Sequence, residues 1–156
     1  MTPAIVLLEQ QAIDHSVISY EHDANAASYG LEAADKMGVG ADLIFKTLVV
    51  QTSDGKLAVG IVPVNKQLSL KGVAAALKAK KVIMADAKAV TRSTGYQLGG
   101  VSPLAQKQKL ATVIDASAFE HETIYVSAGK RGLEVALSPH DLSTACTALH
   151  ADIASD

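Results

Sequence analysis

Apolar residues recur along the chain with two periods, one typical of strands and one typical of helices. Stretches rich in β-branched residues predict strands over residues 16–20, 45–51, 56–62, 82–84, 111–114, 123–127 and 133–137, of which 82–84 is expected to be buried. Helices are predicted over residues 31–37 and after the capping residues Thr2, Ser69, Asp86 and Ser138. Residues 23–29 are small and polar, which predicts a loop.

The clearest local signal is a hairpin in the first third of the chain. The strand-forming stretches 45–51 and 56–62 flank Ser53-Asp54-Gly55, a sequence that favours a tight turn. Helices interspersed with such antiparallel pairs indicate an α+β fold. We expect a single domain over residues 1–156, which is long enough to bury a real core.

Composition narrows the classes of protein to consider. There is no apolar run of the length needed to span a membrane and no secretory signal, so we expect a cytoplasmic protein. One cysteine, Cys146, excludes an intramolecular disulfide, and we expect it to be buried. The five histidines match no zinc motif, and no phosphate-binding or dinucleotide fingerprint is present. We therefore expect no metal and no cofactor.

A block from Arg92 to Pro103 combines four hydroxyls, three glycines, a cation and a proline. The Arg92 guanidinium suits a phosphate or a carboxylate. Backbone N–H groups at Gly99 and Gly100 are candidates to stabilise a developing oxyanion, because glycine lets a ligand approach the backbone closely. The alternative is a hairpin with a glycine bulge.

Three segments together carry a resemblance to a known family. Phe45-Lys46-Thr47-Leu48, the Arg92–Pro103 block and Ser127-Ala128-Gly129-Lys130-Arg131-Gly132-Leu133, supported by the N-terminus and Tyr20-Glu21-His22-Asp23, resemble the YbaK/EbsC family. These are small trans-editing proteins related to the insertion domain of bacterial prolyl-tRNA synthetase. The resemblance implies a mixed, mostly antiparallel, β-barrel-like sheet flanked by helices. It also implies deacylation of Cys-tRNA(Pro) and Cys-tRNA(Cys).

The resemblance also implies a set of site residues. Lys46 is the diagnostic polar residue and is expected to be catalytic with Gly99 and Gly100, either by holding the tRNA terminus or by stabilising charge at the ester. The expected substrate-binding residues are Tyr20, Tyr29, Thr47, Arg92, Ser127 and Glu134, where related sequences can carry Asp in place of Glu134. Ser127 has no identifiable base, so a serine nucleophile is disfavoured and the substrate's own thiol is the candidate.

The charge of the chain bears on its partners. A formal net charge of −2 is unlike that of proteins that grip many phosphates, so we expect contact with little beyond the acceptor end of the tRNA, or a transient complex with prolyl-tRNA synthetase. Clusters of Lys and Arg at 78–81, 107–109 and 130–131 are either a solvated face or a funnel for phosphate. Two other functions remain open: a deacylase for Ala-tRNA(Pro) or another aminoacyl-tRNA, and a non-catalytic module that binds a synthetase or tRNA.

Overall fold

The structure is a computed structural model that describes residues 1–26 and 28–156. Its helices are α1 (Pro3–Gln10), α2 (Tyr29–Met37), α3 (Leu70–Leu77), α4 (Ala87–Thr94) and α5 (Pro139–Cys146). Its strands are β1 (Ser16–Ser19), β2 (Ile44–Thr52), β3 (Leu57–Pro63), β4 (Gln67–Leu68), β5 (Val82–Met84), β6 (Ala111–Asp115), β7 (Ile124–Lys130), β8 (Leu133–Leu137), β9 (Leu149–Ala151) and β10 (Ala154–Ser155). Among the described residues, no helix is long and apolar enough to cross a membrane.

One mixed sheet organises the chain. Its strands pair in the order β1–β8–β7–β2–β3–β6–β9. The strand β5 pairs with the part of β2 that does not pair with β7, and β4 and β10 form a separate two-stranded sheet. Three pairs are parallel, β2–β7, β3–β6 and β6–β9, and the others are antiparallel. The predicted α+β fold, with a mixed sheet flanked by helices, is confirmed. Within the described residues, no pairing between β1 and β9 closes the sheet into a barrel.

The helix starts follow the predicted caps, with one exception. The side chains of Thr2, Ser69, Asp86 and Ser138 accept hydrogen bonds from backbone N–H groups of the first turns of α1, α3, α4 and α5. The exception is α2, where Ser28 caps the helix by accepting from Leu31 N at 3.3 Å. The prediction that Tyr29 lies in a loop is wrong, because this cap starts the helix two residues earlier than expected.

The strand β5 is also less buried than predicted. It pairs with Val50–Thr52 of β2 and has no other strand beside it among the described residues. Val82 is buried, but Ile83 and Met84 are exposed to 52% and 47%. The expectation of a buried strand is wrong because this short strand lies at an edge, and only its first residue packs against α3 and the sheet.

Helices cover both faces of the sheet. The largest apolar cluster joins α1, α4 and α5 to residues such as Phe45, Ile61 and Val126. On the other face of β2, alternate residues contact two different helices: Ile44 packs with α2 and Val50 packs with α3. Lys46 lies between them on the same face, at a place where the helical cover changes from α2 to α3.

The strand β2 has an unpaired stretch on one edge. β3 follows one edge along its length, whereas the other edge meets β7 only at Ile44 and Phe45 and β5 only at Val50–Thr52. The carbonyl of Val49 points to this second edge, because it accepts from Ala85 N at 3.0 Å. Backbone groups alternate in direction along a strand, so the N–H and C=O of Thr47 point to the same edge, where no strand meets them.

Candidate active site

A cavity of about 250 Å³ opens where β2 separates from β7. It lies between these two strands, the first turn of α2 and the loop after α4. Seven of the nine predicted site residues line it, namely Tyr20, Tyr29, Lys46, Thr47, Gly99, Ser127 and Glu134. Residues that are far apart in sequence therefore share one small, partly apolar cavity, which is the usual setting of a small-molecule site.

Lys46 contributes a cation that has been partly removed from water. Its side chain is half-buried, and this desolvation lowers the pKa of its ammonium group. In the described part of the chain, no carboxylate lies within 4.0 Å of its Nζ. Its charge is therefore available to an anionic or developing negative group in the cavity.

Thr47 adds two unused donors next to this lysine. Its Oγ1 is buried and has no hydrogen-bond partner among the described residues. Its backbone N–H points to the unpaired edge of β2. A buried hydroxyl without a partner costs about 1–3 kcal/mol, which a ligand in the cavity would recover.

Ser127 and Glu134 face each other across β7 and β8 at the start of a bulge. The pairing passes from Ser127–Glu134 directly to Lys130–Leu133, leaving two residues of β7 without partners. Ser127 Oγ accepts from Gly129 N at 3.1 Å within this bulge. No histidine is among the residues that line the cavity, so the described geometry offers Ser127 no imidazole base.

Glu134 is a titratable group inside the cavity wall. It is only 7% exposed, and burial raises the pKa of its carboxyl to about 7. At neutral pH it exists in both protonation states, so it can accept or donate a proton there. The extra methylene relative to Asp does not keep this side chain out of the cavity.

The two tyrosines are held in different ways. Tyr20 donates its backbone N–H to the carbonyl of Gly132 at 2.9 Å, and burial, with a smaller contribution from Glu134, raises the pKa of its hydroxyl. Tyr29 is 46% exposed and carries the Arg131 guanidinium over its ring, 3.9 Å from the centroid. Both rings line the cavity.

A buried ion pair that sequence reasoning missed holds Tyr29 in place. Glu32 is almost fully buried and lies 3.4 Å from Arg131 Nη2, while its other oxygen accepts from Asp23 N at 2.6 Å. Arg131 Nη2 also donates to the carbonyl of Asp23 at 2.8 Å. The residues of this clamp are 99 positions apart, and an acid in the first turn of a helix gave no sign of its burial.

The two adjacent glycines serve different purposes. Gly99 lines the cavity with a φ of +88°, and none of the described residues accepts a hydrogen bond from its N–H. Gly100 N donates to Gln97 O at 3.0 Å, so its N–H is already used in a turn. A Cβ at Gly100 would lie 2.8 Å from Arg131 N. Gly100 therefore permits close packing against the end of β7. Contrary to expectation, its N–H is not free to donate to an oxyanion.

Arg92 lies outside the cavity. It is exposed on the last turn of α4, beside Lys88 and Thr91, and Gly95 ends that helix with a φ of +81°. The Arg92–Pro103 block is thus a helix end followed by a loop, and the alternative of a hairpin is excluded. Arg92 can reach a substrate only beyond the part that enters the cavity.

Cys146 is half-buried and is not among the residues that line the cavity. Its Sγ donates to the carbonyl of Pro103 at 3.3 Å, and burial raises the pKa of its thiol to about 12. Such a thiol is not a nucleophile at neutral pH. Across residues 1–26 and 28–156, no group of three or more His, Cys, Asp or Glu side chains is arranged to hold a metal ion.

A model of the aminoacyl-tRNA editing domain matches residues 23–145, which include all nine predicted site residues except Tyr20. The chain belongs to the aminoacyl-tRNA editing family. A protein of Enterococcus faecalis named as a candidate Cys-tRNA(Pro)/Cys-tRNA(Cys) deacylase, EbsC, is 32% identical over 152 residues, which are 97% of this chain and 92% of that protein. The resemblance to the YbaK/EbsC family is confirmed.

Solved structures share the fold of this editing domain. A candidate trans-editing enzyme for prolyl-tRNA synthetase superposes with a TM-score of 0.85 at 20% identity, covering 99% of this chain and 98% of that one. The hypothetical protein APE2540 superposes with a TM-score of 0.87 at 24% identity, covering 98% and 99%. At these identities the likeness concerns the architecture alone.

Proposed function

We propose that the protein deacylates Cys-tRNA(Pro), and also Cys-tRNA(Cys), by splitting the ester between cysteine and the terminal ribose. The observation that carries the proposal is a small cavity in which, among the described residues, a cation and several backbone and side-chain donors have no partner and no protein nucleophile is activated. The name of the relative that is 32% identical supports the same substrates.

The nucleophile in this proposal is the thiol of the substrate. Its sulfur attacks its own carbonyl carbon, the ester C–O bond breaks, and the ribose oxygen leaves and takes up a proton. The product is a four-membered thiolactone that water hydrolyses to cysteine. Intramolecular reaction lowers barriers by about 7–11 kcal/mol in favourable cases, and ring strain makes the gain smaller here.

The cavity residues have separate roles in this step. Glu134, with a pKa of about 7, is our candidate to accept the thiol proton. The Lys46 ammonium and the N–H groups of Thr47 and Gly99 are our candidates to stabilise the carbonyl oxygen as it becomes negative, and one good donor contributes about 3–4 kcal/mol. Ser127 and the two tyrosines orient the aminoacyl group and the terminal nucleoside.

Specificity follows from the use of the thiol. A pocket distinguishes substrates that differ by one small group by only about 1–3 kcal/mol. Seryl and alanyl esters resemble the cysteinyl ester in size but lack the attacking sulfur. A reaction that needs this sulfur rejects them more strongly than a fit of shapes does.

Selection of the tRNA is a separate question, for which we propose a transient complex with prolyl-tRNA synthetase. A cavity of about 250 Å³ has room for little more than the aminoacyl group and the terminal nucleoside, which gives no means of reading the rest of the tRNA sequence. Adding the synthetase should lower the KM for Cys-tRNA(Pro) more than the KM for Cys-tRNA(Cys). Equal effects on the two substrates would contradict this part.

The main test is single-turnover hydrolysis of tRNA(Pro) charged with cysteine, alanine, serine or proline. We expect fast loss of cysteine, and Lys46→Ala should reduce the rate at least about a hundredfold, since it removes the charge beside the ester. Lys71→Ala, an exposed lysine on α3, is the matched control and should leave the rate unchanged. Preferred hydrolysis of Ala-tRNA(Pro) would reassign the substrate, and no hydrolysis of any ester would indicate a binding module.

The source of the nucleophile is tested with S-methylcysteinyl-tRNA(Pro). If the thiol attacks, this ester binds but does not react. Binding must be measured directly, because exclusion from the cavity would also abolish the reaction. Rapid hydrolysis of the S-methyl ester would show that water attacks instead.

A further inference from the structure

The low net charge of the chain conceals a strong separation of charge along it. Residues 43–111 contain eleven of the fourteen Lys and Arg residues but only two of the sixteen Asp and Glu residues, an excess of nine positive charges. The remainder of the chain has three of the former and fourteen of the latter. A net charge of −2 therefore does not exclude a surface that attracts polyanions.

The fold gathers part of this positive charge around one groove. An open groove of about 1080 Å³ lies between the β2–β3 turn, the end of α3 and the start of β6. Its lining includes Lys56, Lys78, Lys80 and Lys109. Lys81 lies beside it, because its carbonyl accepts from Ser53 N at 2.9 Å. Two lysine clusters about thirty positions apart in sequence thus meet in space, with Lys56 between them.

Local structure accounts for only part of this cluster. Lys78 ends α3 with a φ of +57°, where a cation complements the helix dipole. Lys56 lies 3.9 Å from Asp54, but both side chains are largely exposed. Lys80 and Lys109 are exposed, and no carboxylate of a described residue lies within 4.0 Å of either. Mutual repulsion makes such a cluster unfavourable without a counter-charge.

We propose that this lysine groove binds the phosphate backbone of the acceptor stem of the tRNA whose 3′ end enters the cavity. This inference rests on the proposed function, which places an aminoacyl end at Lys46. The strand β2 connects the two places, because Lys46 lines the cavity and Thr52, six residues later, lines the groove. Six residues of a strand span about 20 Å, a distance that the helical stem next to an unpaired 3′ end covers.

The groove reads charge and shape rather than sequence. Lysine ammonium groups are point charges that contact phosphate without distinguishing bases, and double-stranded RNA is recognised largely through its backbone. The groove thus supplies affinity for any acceptor stem, whereas the choice among tRNAs is made elsewhere. It also extends the expectation, based on net charge, that the protein touches little beyond the acceptor end.

The test compares two double variants with the same change in charge. The groove variant is Lys80→Glu with Lys109→Glu, and the control is Lys71→Glu with Lys88→Glu, two exposed lysines in the first turns of α3 and α4 that do not line the groove. Each variant is assayed at salt concentrations from about 50 to 200 mM. The two substrates are Cys-tRNA(Pro) and the cysteinyl ester of the trinucleotide CCA, which lacks the stem. Thermal unfolding checks that both variants fold.

The groove variant should lose at least about tenfold in kcat/KM on Cys-tRNA(Pro) and keep its activity on the trinucleotide ester. The dependence of log(kcat/KM) on log[salt] for the tRNA should become shallower by about 1.4–1.8, because each lost phosphate contact removes about 0.7–0.9 from the slope. The control variant should change neither the slope nor the ratio between the two substrates.

Two results would overturn the inference. Equal kinetics and salt slopes for the groove variant and the control would show that the stem does not touch the groove. A loss that occurs only when prolyl-tRNA synthetase is present would show that the groove binds an acidic protein surface. If the wild type hydrolyses neither ester, the proposed function fails, and equilibrium binding of uncharged tRNA to the same variants still tests the groove.

Discussion

The Gly99→Ala variant tests how the cavity is kept in shape. An ideal Cβ at Gly99 would lie 2.6 Å from Cε2 of Tyr29, well inside contact distance. The Tyr29 ring cannot move away freely, because the Arg131 guanidinium covers it at 3.9 Å and is itself paired with Glu32. The φ of +88° adds strain of about 1–2 kcal/mol for any residue with a Cβ.

We expect the variant to fold and to lose activity. The φ strain alone should lower the Tm by about 2–8 °C, at about 2–4 °C per kcal/mol for a chain of this size. Displacement of the Tyr29 ring into or along the cavity should lower kcat/KM on the cysteinyl trinucleotide ester by about tenfold to a hundredfold, as small misplacements do in active sites.

Gly55→Ala is the matched control for strain. Gly55 has a φ of +87°, and a Cβ there would meet nothing within 4 Å. It should show the same loss of stability with full activity on the trinucleotide ester. In the Gly99→Ala background, adding Tyr29→Ala should cause no further loss beyond that of Tyr29→Ala alone. Full activity of Gly99→Ala, or additive losses in the double variant, would refute the argument.

Three further predictions follow from single buried groups. Glu134 has a pKa of about 7 in the folded protein against 4.5 for the free group, so its carboxyl binds a proton more tightly when the chain is folded. The free energy of unfolding of the wild type should therefore fall by about 3 kcal/mol relative to that of Glu134→Gln as pH rises from about 4.5 to 7. Parallel curves of stability against pH for the two proteins would contradict this. Thr47→Val should be neutral or stabilising by about 1 kcal/mol in thermal unfolding, because it removes a buried hydroxyl that has no partner among the described residues. The same variant should raise the KM for the cysteinyl ester. An unchanged KM would show that Oγ1 does not contact the substrate. Cys146→Ala should retain full activity, and Cys146 should resist alkylation at pH 7, where rapid labelling would contradict its raised pKa.

Local chemistry was enough to predict much of the fold. The β2–β3 hairpin follows from two stretches rich in strand-forming residues around Ser53-Asp54-Gly55, and four of the helix starts follow from a hydroxyl or carboxylate at the cap. Ser28 was missed because Gly30 and a run of small residues around it favour a loop. That error concealed the position of Tyr29 in the first turn of α2.

The site was less accessible from sequence, because its important contacts join distant segments. Lys46, Ser127 and Glu134 were found through the resemblance, whereas the clamp between Glu32 and Arg131 depends on how α2 packs against the β7–β8 turn. Gly100 and Arg92 were grouped with Gly99 because they are neighbours in sequence. In space, the loop turns the three residues toward different surroundings.

The distribution of unsatisfied polar groups argues that the cavity exists to hold a ligand. Elsewhere in the described residues, buried polar side chains are paired: Ser93 Oγ donates to Ala89 O at 2.7 Å, and Asp115 Oδ1 accepts from Ile153 N at 2.9 Å. The two buried side-chain atoms without partners, Thr47 Oγ1 and Arg131 Nε, lie in the cavity wall and in the clamp behind Tyr29. An apolar side chain at position 47 would avoid the cost of an unpaired hydroxyl.

The same wall holds a desolvated Lys46 and a Glu134 whose carboxyl is hard to ionise. We therefore propose that bound substrate repays these costs, and that the chemistry takes place in the cavity between β2 and β7.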